Sequence, residues 1–248
     1  MIIKKDICYS KNPHELSYLD MYLPDSKPHS VIIYFHGGGI EGGKREHIIE
    51  GLNELTKEGY AVVYPDYSLY PNAKFPEFIL DAAEAVNYVK KECEEFSNCQ
   101  NFYVGGSSAG AYLSMMLYFD KSYLGKYGIK VSEFTGFIFD AGQPTSHYNV
   151  LRERKKDTRK VIIDETAPLF FVEEYDHEPP VVIFVAENDM VNRYEQNMLL
   201  ISTMKHFNYP KENIYYEFMK NHGHCTYNHD QEFFDCLTKF IKNTVKGK

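Results

Sequence analysis

Short, nearly continuous apolar runs, separated by longer segments of helical periodicity, constrain this chain more than any other feature of its sequence. The runs are VIIYF (31–35), AVVYP (61–65), NFYVG (101–105), FTGFIF (134–139), VVIFVA (181–186) and IYYEFM (214–219). Each has the length of a strand and is rich in β-branched and aromatic residues. Their lack of polar alternation suits strands buried on both faces, as in a parallel sheet covered by helices. Between them, Phe78, Ala82, Ala85, Val86 and Val89 fall on one stripe of a helix over 77–90. Residues 190–207 and 230–245 also read as amphipathic helices. The expected fold class is therefore α/β, a mostly parallel central sheet flanked by helices. Residues 2–9 and 17–23 supply two edge strands around a turn at Asn12-Pro13. A single domain over 1–248 is expected. The stretch 141–180 breaks the rhythm with few strand signals, and a small lid or cap insertion is the better reading of so long an interruption.

Composition narrows the function classes. A formal net charge of −8 argues against a nucleic-acid partner, which needs a basic surface. The basic cluster from Arg152 to Lys160 (RERKKDTRK) is interrupted by acids and reads as a solvated helix face or loop. The five cysteines are odd in number and lack CxxC spacing, so reduced thiols are expected rather than disulfides or a zinc site. No apolar stretch approaches the ~18 residues of a membrane span, and the first ten residues lack an apolar signal core. A cytoplasmic location with no membrane partner is expected. Self-association into a homo-oligomer is compatible with the chain.

The chemistry-bearing signals lie at strand ends. Gly106-Ser107-Ser108-Ala109-Gly110 is a G-x-S-x-G sequence directly after NFYVG and before a helical run. That strand–turn–helix context exposes Ser108 at the carboxyl end of a sheet. The alternative is a glycine-rich turn without catalysis. After VIIYF comes His36-Gly37-Gly38-Gly39, whose glycines leave backbone N–H groups open to a developing oxyanion. His36 reads as a structural residue orienting that loop. No nucleotide-binding glycine motif is present.

A serine nucleophile needs a histidine base oriented by a carboxylate. Asp189 follows VVIFVA, and Asn221-His222-Gly223-His224-Cys225 follows IYYEFM. Ser108, Asp189 and His224 are the favoured catalytic set, in the chain order of α/β hydrolases. Glu187 and Asp140 remain as rival carboxylates, and His222 and His229 as rival bases.

On these residues the chain resembles the hormone-sensitive-lipase-like carboxylesterases and BD-FAE-type acetyl esterases of the α/β-hydrolase superfamily, over about residues 15–245. The resemblance rests on HGGG at 36–39, YPDYSLYPNAKFPEFILDAAEAVNYVKKE at 64–92, GSSAGA at 106–111 and the late aspartate and histidine. In the middle block Asp66, Tyr67, Pro71, Phe75, Pro76 and Asp81 match. Ser107 stands where many relatives carry Asp, Ala111 replaces a glycine, and Ser68 replaces an arginine. Short acyl groups on small-molecule esters are expected because the sequence shows no long apolar loop suited to an oil–water interface. The resemblance implies acyl-ester hydrolysis, with oxyanion donors from Gly37, Gly38 and Ala109. It implies no organic cofactor and no metal. Other readings are an arylformamidase-like amide hydrolase and a non-catalytic hydrolase-fold binding protein. A prolyl-oligopeptidase-type peptidase usually adds a propeller, for which the chain has no repeat.

Overall fold

The apolar runs are strands in the computed structural model, which describes residues 1–245. In chain order they are β1 (Ile2–Cys8), β2 (Tyr18–Leu23), β3 (Ser30–Phe35), β4 (Tyr60–Pro65), β5 (Asn101–Ser107), β6 (Gly136–Asp140), β7 (Val181–Asn188) and β8 (Ile214–Gly223). They form one eight-stranded sheet in the order β1-β2-β4-β3-β5-β6-β7-β8. The β1–β2 and β2–β4 pairs are antiparallel, and the pairs from β4 to β8 are parallel. This is the order and direction of an α/β hydrolase sheet, as expected from the sequence.

The helices are α1 (Glu50–Glu54), α2 (Glu77–Asn87), α3 (Ala109–Phe119), α4 (Lys121–Gly125), α5 (Tyr148–Glu153), α6 (Arg193–His206) and α7 (Gln231–Thr244). Successive strand residues point to opposite faces, and both faces are apolar here. Val31, Ile33, Phe35, Val104 and Ile183 pack with α2, α3 and α6, while Ile32, Tyr34, Tyr103, Val182 and Phe184 pack with α7. That two-sided burial is why the runs lack polar alternation. Every residue of α3 is buried, so the helix after Ser108 is a central strut of the first layer.

Several expected boundaries shift, two of them beside the site. The last strand runs on to Gly223, past the expected end at 219, because β7 also lengthens and Gly223 pairs with Asn188. A register shift between Ala186 and Asn188 and a positive φ of 60° at Asn221 let the pairing resume. His222 thus ends a strand instead of lying in a loop. The helix expected from 190 begins at Arg193, after Asn192 turns the chain with φ 65°.

The stretch 141–180 is held by polar bonds rather than strands. Asp164 accepts from Ser146, Thr166 and Arg154, and Ser146 N–H donates to the Ile162 carbonyl. The basic cluster is largely paired: Arg152 with Glu41, Arg154 with Asp164 and Glu165, and Arg159 with Asp157.

Candidate active site

The site is built at the carboxyl edge of the sheet, where β3, β5, β6, β7 and β8 all end. Between β5 and α3, Ser108 takes φ 54° and ψ −108°, a conformation that costs a non-glycine residue energy. The turn closes tightly enough to demand glycine on both sides. A Cβ on Gly106 would lie 2.5 Å from the Gly110 carbonyl carbon, and one on Gly110 would lie 2.1 Å from the Phe35 oxygen. Ser108 N–H donates to the Asp140 carbonyl at 2.7 Å, and Tyr112 N–H donates to the Ser108 carbonyl at 3.0 Å.

His224 Nε2 lies 2.7 Å from Ser108 Oγ, and its Nδ1 lies 2.6 Å from Asp189 Oδ1. A carboxylate only accepts, so Nδ1 carries the proton and Nε2 accepts from the Ser108 hydroxyl. Asp189 Oδ1 also accepts from Met190 N–H at 2.7 Å. The Asp189 side chain is 1% exposed, while the imidazole keeps 25% exposure, so a buried carboxylate holds a partly exposed ring.

The rivals stand elsewhere. His222 faces Asp230 at 3.1 Å and Thr226 at 3.3 Å, and His229 is exposed. Glu187 accepts from the Asn221 N–H. Asp140 is wholly buried beneath the turn that carries Ser108 and accepts from Tyr227 at 2.6 Å, Asn228 at 2.9 Å and Tyr34 at 3.0 Å. Burial pushes its carboxyl above the ordinary value, against the pull of these hydrogen bonds. Asn228 also donates to Ser107 Oγ, whose own hydroxyl donates to Cys225 Sγ. Sequence reasoning missed this under-layer of Tyr34, Tyr227 and Asn228. No motif marks it, since its members come from β3 and from the loop before α7.

The glycine loop lies against the serine. A Cβ on Gly37 would lie 3.4 Å from Ser108 Cβ, and Gly38 and Gly39 take φ values of 117° and 67°. Ala109 is the first residue of α3, so its N–H has no carbonyl to meet in the helix. His36 Nδ1 sits 2.7 Å from the Gly37 carbonyl, its ring stacks on Tyr67 at 4.3 Å, and Tyr67 OH donates to the His36 carbonyl. Beside it, Arg45 binds Asp66 and Asp20. Burial alone would raise the Asp66 carboxyl, but the His36 ring 3.6 Å away and the hydrogen bonds from Arg45 outweigh it and hold the group below its ordinary value. Arg45 was not singled out in the sequence, because no motif marks it among the five arginines of the chain.

Among the described residues, no three His, Cys, Asp or Glu side chains converge to hold a metal ion, and no helix is long and apolar enough to cross a membrane.

Comparison with known proteins agrees with the fold and the motifs. The BD-FAE family model matches residues 19–127, and the prolyl oligopeptidase family model matches residues 77–248. Esterase LipC of Mycobacterium tuberculosis is 31% identical over 46% of this chain and 29% of its own length. An acetyl esterase of Salmonella typhi is 30% identical over 44% of this chain and 34% of its own. The chain thus covers about a third of these curated relatives. A truncated carbohydrate esterase from gut microbiota superposes with a TM-score of 0.83 at 19% identity, covering 98% of this chain and 96% of that one. Thermogutta terrifontis esterase 2 with butyrate bound gives a TM-score of 0.75 at 18% identity, covering 98% and 95%. The family model that spans α2 to the last residue covers most of the chain, and on that match the protein belongs to the prolyl oligopeptidase family, within the α/β-hydrolase fold.

Proposed function

We propose that the chain is a serine carboxylesterase that cleaves short-chain, acetyl-like esters of small molecules through Ser108, His224 and Asp189. The observation that carries this reading is the continuous pair of hydrogen bonds, 2.6 Å from Asp189 to His224 and 2.7 Å from His224 to Ser108. Ser108 Oγ attacks the ester carbonyl as its proton passes to His224 Nε2, and Asp189 stabilises the imidazolium. The N–H groups of Gly37, Gly38 and Ala109 receive the oxyanion, each such donor typically contributing about 2.7–4 kcal/mol. His224 then protonates the leaving alcohol, and the C–O bond breaks to give the acyl-enzyme. Water, deprotonated by the same histidine, attacks that acyl group and releases the acid.

Residues 141–180 act in this reading as a cap on one domain, supported by Asn149, which donates to the Gly39 carbonyl from α5. A cytoplasmic setting is supported by the five free thiols.

The test is hydrolysis of p-nitrophenyl esters from acetyl to decanoyl. Activity should peak at the short chains and vanish in Ser108→Ala and in His224→Ala. His222→Ala should keep it, since that ring is engaged by Asp230 and Thr226. Full turnover by Ser108→Ala would sink the assignment. The prolyl oligopeptidase match carries a second reading, amide cleavage at the same serine. Faster release from acyl p-nitroanilides than from the matching esters would favour it.

A further inference from the structure

Arg193, the first residue of α6, is a buried cation, 3% exposed, that makes no salt bridge among the described residues. It is held instead by neutral acceptors: the Ala141 carbonyl at 2.7 Å, Gln143 Oε1 at 3.3 Å and Met190 Sδ at 3.7 Å. Burial lowers its pKa from the ordinary value, with the nearby Asp189 carboxylate opposing that shift. Asp189 binds His224 and Met190 N–H through Oδ1 alone, and its buried Oδ2, without a hydrogen-bond partner, makes no direct salt bridge with the guanidinium. A cation left this way in a protein interior is costly unless something else meets its charge.

That cation lines a cavity of about 570 Å³, together with Gln143, Tyr148, Lys160, Met190 and Val191. Ser108, His224 and Asp189 do not line this cavity, which meets the candidate active site through neighbouring residues. Met190 follows Asp189 directly. Tyr148 stands over the glycine loop, its hydroxyl 1.9 Å from where a Cβ on Gly39 would be. Arg193 grips the carbonyl of Ala141, the residue after Asp140, whose carbonyl takes the Ser108 N–H. The rim is apolar where Val191 is 89% exposed and Met190 44% exposed. It is basic at Lys160, which makes no salt bridge among the described residues, whereas Arg159 beside it is held by Asp157. In a chain of net charge −8, that puts one buried and two rim cations, Arg159 and Lys160, on a single apolar-edged space, with Asp157 beside the rim pair.

The geometry points to a subsite for a carboxylate: Arg193 and Lys160 select esters that carry a free carboxylate on a short carbon chain, the carbons lying on Met190 and Val191. A carboxylate would replace the long contacts from Arg193 to Gln143 and Met190 with a charge-assisted hydrogen bond, which is stronger than a neutral one. The inference rests on the esterase reading for its place in catalysis, but the subsite itself does not depend on turnover.

Two measurements separate the two ideas. The first is calorimetric binding of monomethyl succinate and of dimethyl succinate, its neutral counterpart, to Ser108→Ala. The monoanion should bind at least tenfold more tightly, and the ratio should fall towards one in Arg193→Gln and in Lys160→Gln. The surface variant serves where the buried one fails to fold, as judged by its thermal melt. The second is kcat/KM of the wild type for mono-p-nitrophenyl succinate against p-nitrophenyl butyrate, and for 4-acetoxybenzoate against its methyl ester. These pairs put the carboxylate on the acyl and alcohol sides in turn. At least one carboxylate ester should be preferred about tenfold, mainly through KM. Equal or weaker binding of the monoanion by Ser108→Ala would overturn the subsite whatever the kinetics show. Preferential binding with no hydrolysis by the wild type would leave the subsite standing and remove the esterase reading.

Discussion

Ser108 sits where its backbone and its hydroxyl make opposite demands. The turn needs φ 54°, which glycine adopts without strain, while the chemistry needs an oxygen at Cβ. The two demands separate in a pair of inactive variants. Ser108→Gly should be more stable than Ser108→Ala by about 1–3 kcal/mol, the usual cost of such a conformation. That corresponds to a melting temperature roughly 2–4 °C higher per kcal/mol in a chain of this size. Equal melting temperatures would mean the turn stores no strain at this residue. The serine and the glycines around it were legible in the sequence because a local steric rule fixes their spacing. His224 was favoured over His222 in the sequence, but the reason for setting His222 apart was not legible, because it depends on the strand continuing to Gly223 and carrying His222 towards Asp230. Asp140 was a reasonable rival carboxylate by position, yet its side chain points into the Tyr34, Tyr227 and Asn228 layer, which only the packing of α7 against β6 and β7 brings together.

The element that links sheet to site is the segment after β3. His36 is clamped by Tyr67, and Arg45 reaches back from the same loop to Asp66 and Asp20, so the glycines are anchored at both ends. Because the Asp66 carboxyl lies below its ordinary value of 3.8, the stability it lends is complete above that pH. It is lost as pH falls through the lower native value. Asp66→Asn should therefore cost about 3 kcal/mol near neutrality, the low end for breaking a buried pair, or about 6–12 °C of melting temperature. The gap from the wild type should close as pH drops below about 4. A gap that stays constant into acid would show that the carboxylate's charge is not what holds the loop. The strands and main helices at this scale were readable from apolar runs and stripes. The organisation of 141–180 was not, since Asp164 gathers Ser146, Thr166 and Arg154 by polar contacts that leave no periodic trace.

Across the whole molecule, the sheet order does the assembly. Parallel strands β5, β7 and β8 end on one edge, which joins residues separated by 116 positions at His224–Ser108 and by 35 at His224–Asp189. No cross-link is involved, because all five thiols are free. The melting temperature should accordingly be the same with and without dithiothreitol. A fall of several degrees in reductant would reveal a bridge between two of these cysteines.

Residue 141 is a short joint with a long reach. Ala141 sits at φ 51°, its N–H donates to the Phe184 carbonyl, its own carbonyl holds Arg193, and the carbonyl just before it holds Ser108. Three parts of the protein therefore take their position from two adjoining peptide groups. Anyone reshaping this protein for a new ester would find that a change at the joint shifts selectivity and rate together. A change at the outer end of the cavity, at Lys160 or Val191, alters what is recognised and leaves the nucleophile's footing untouched.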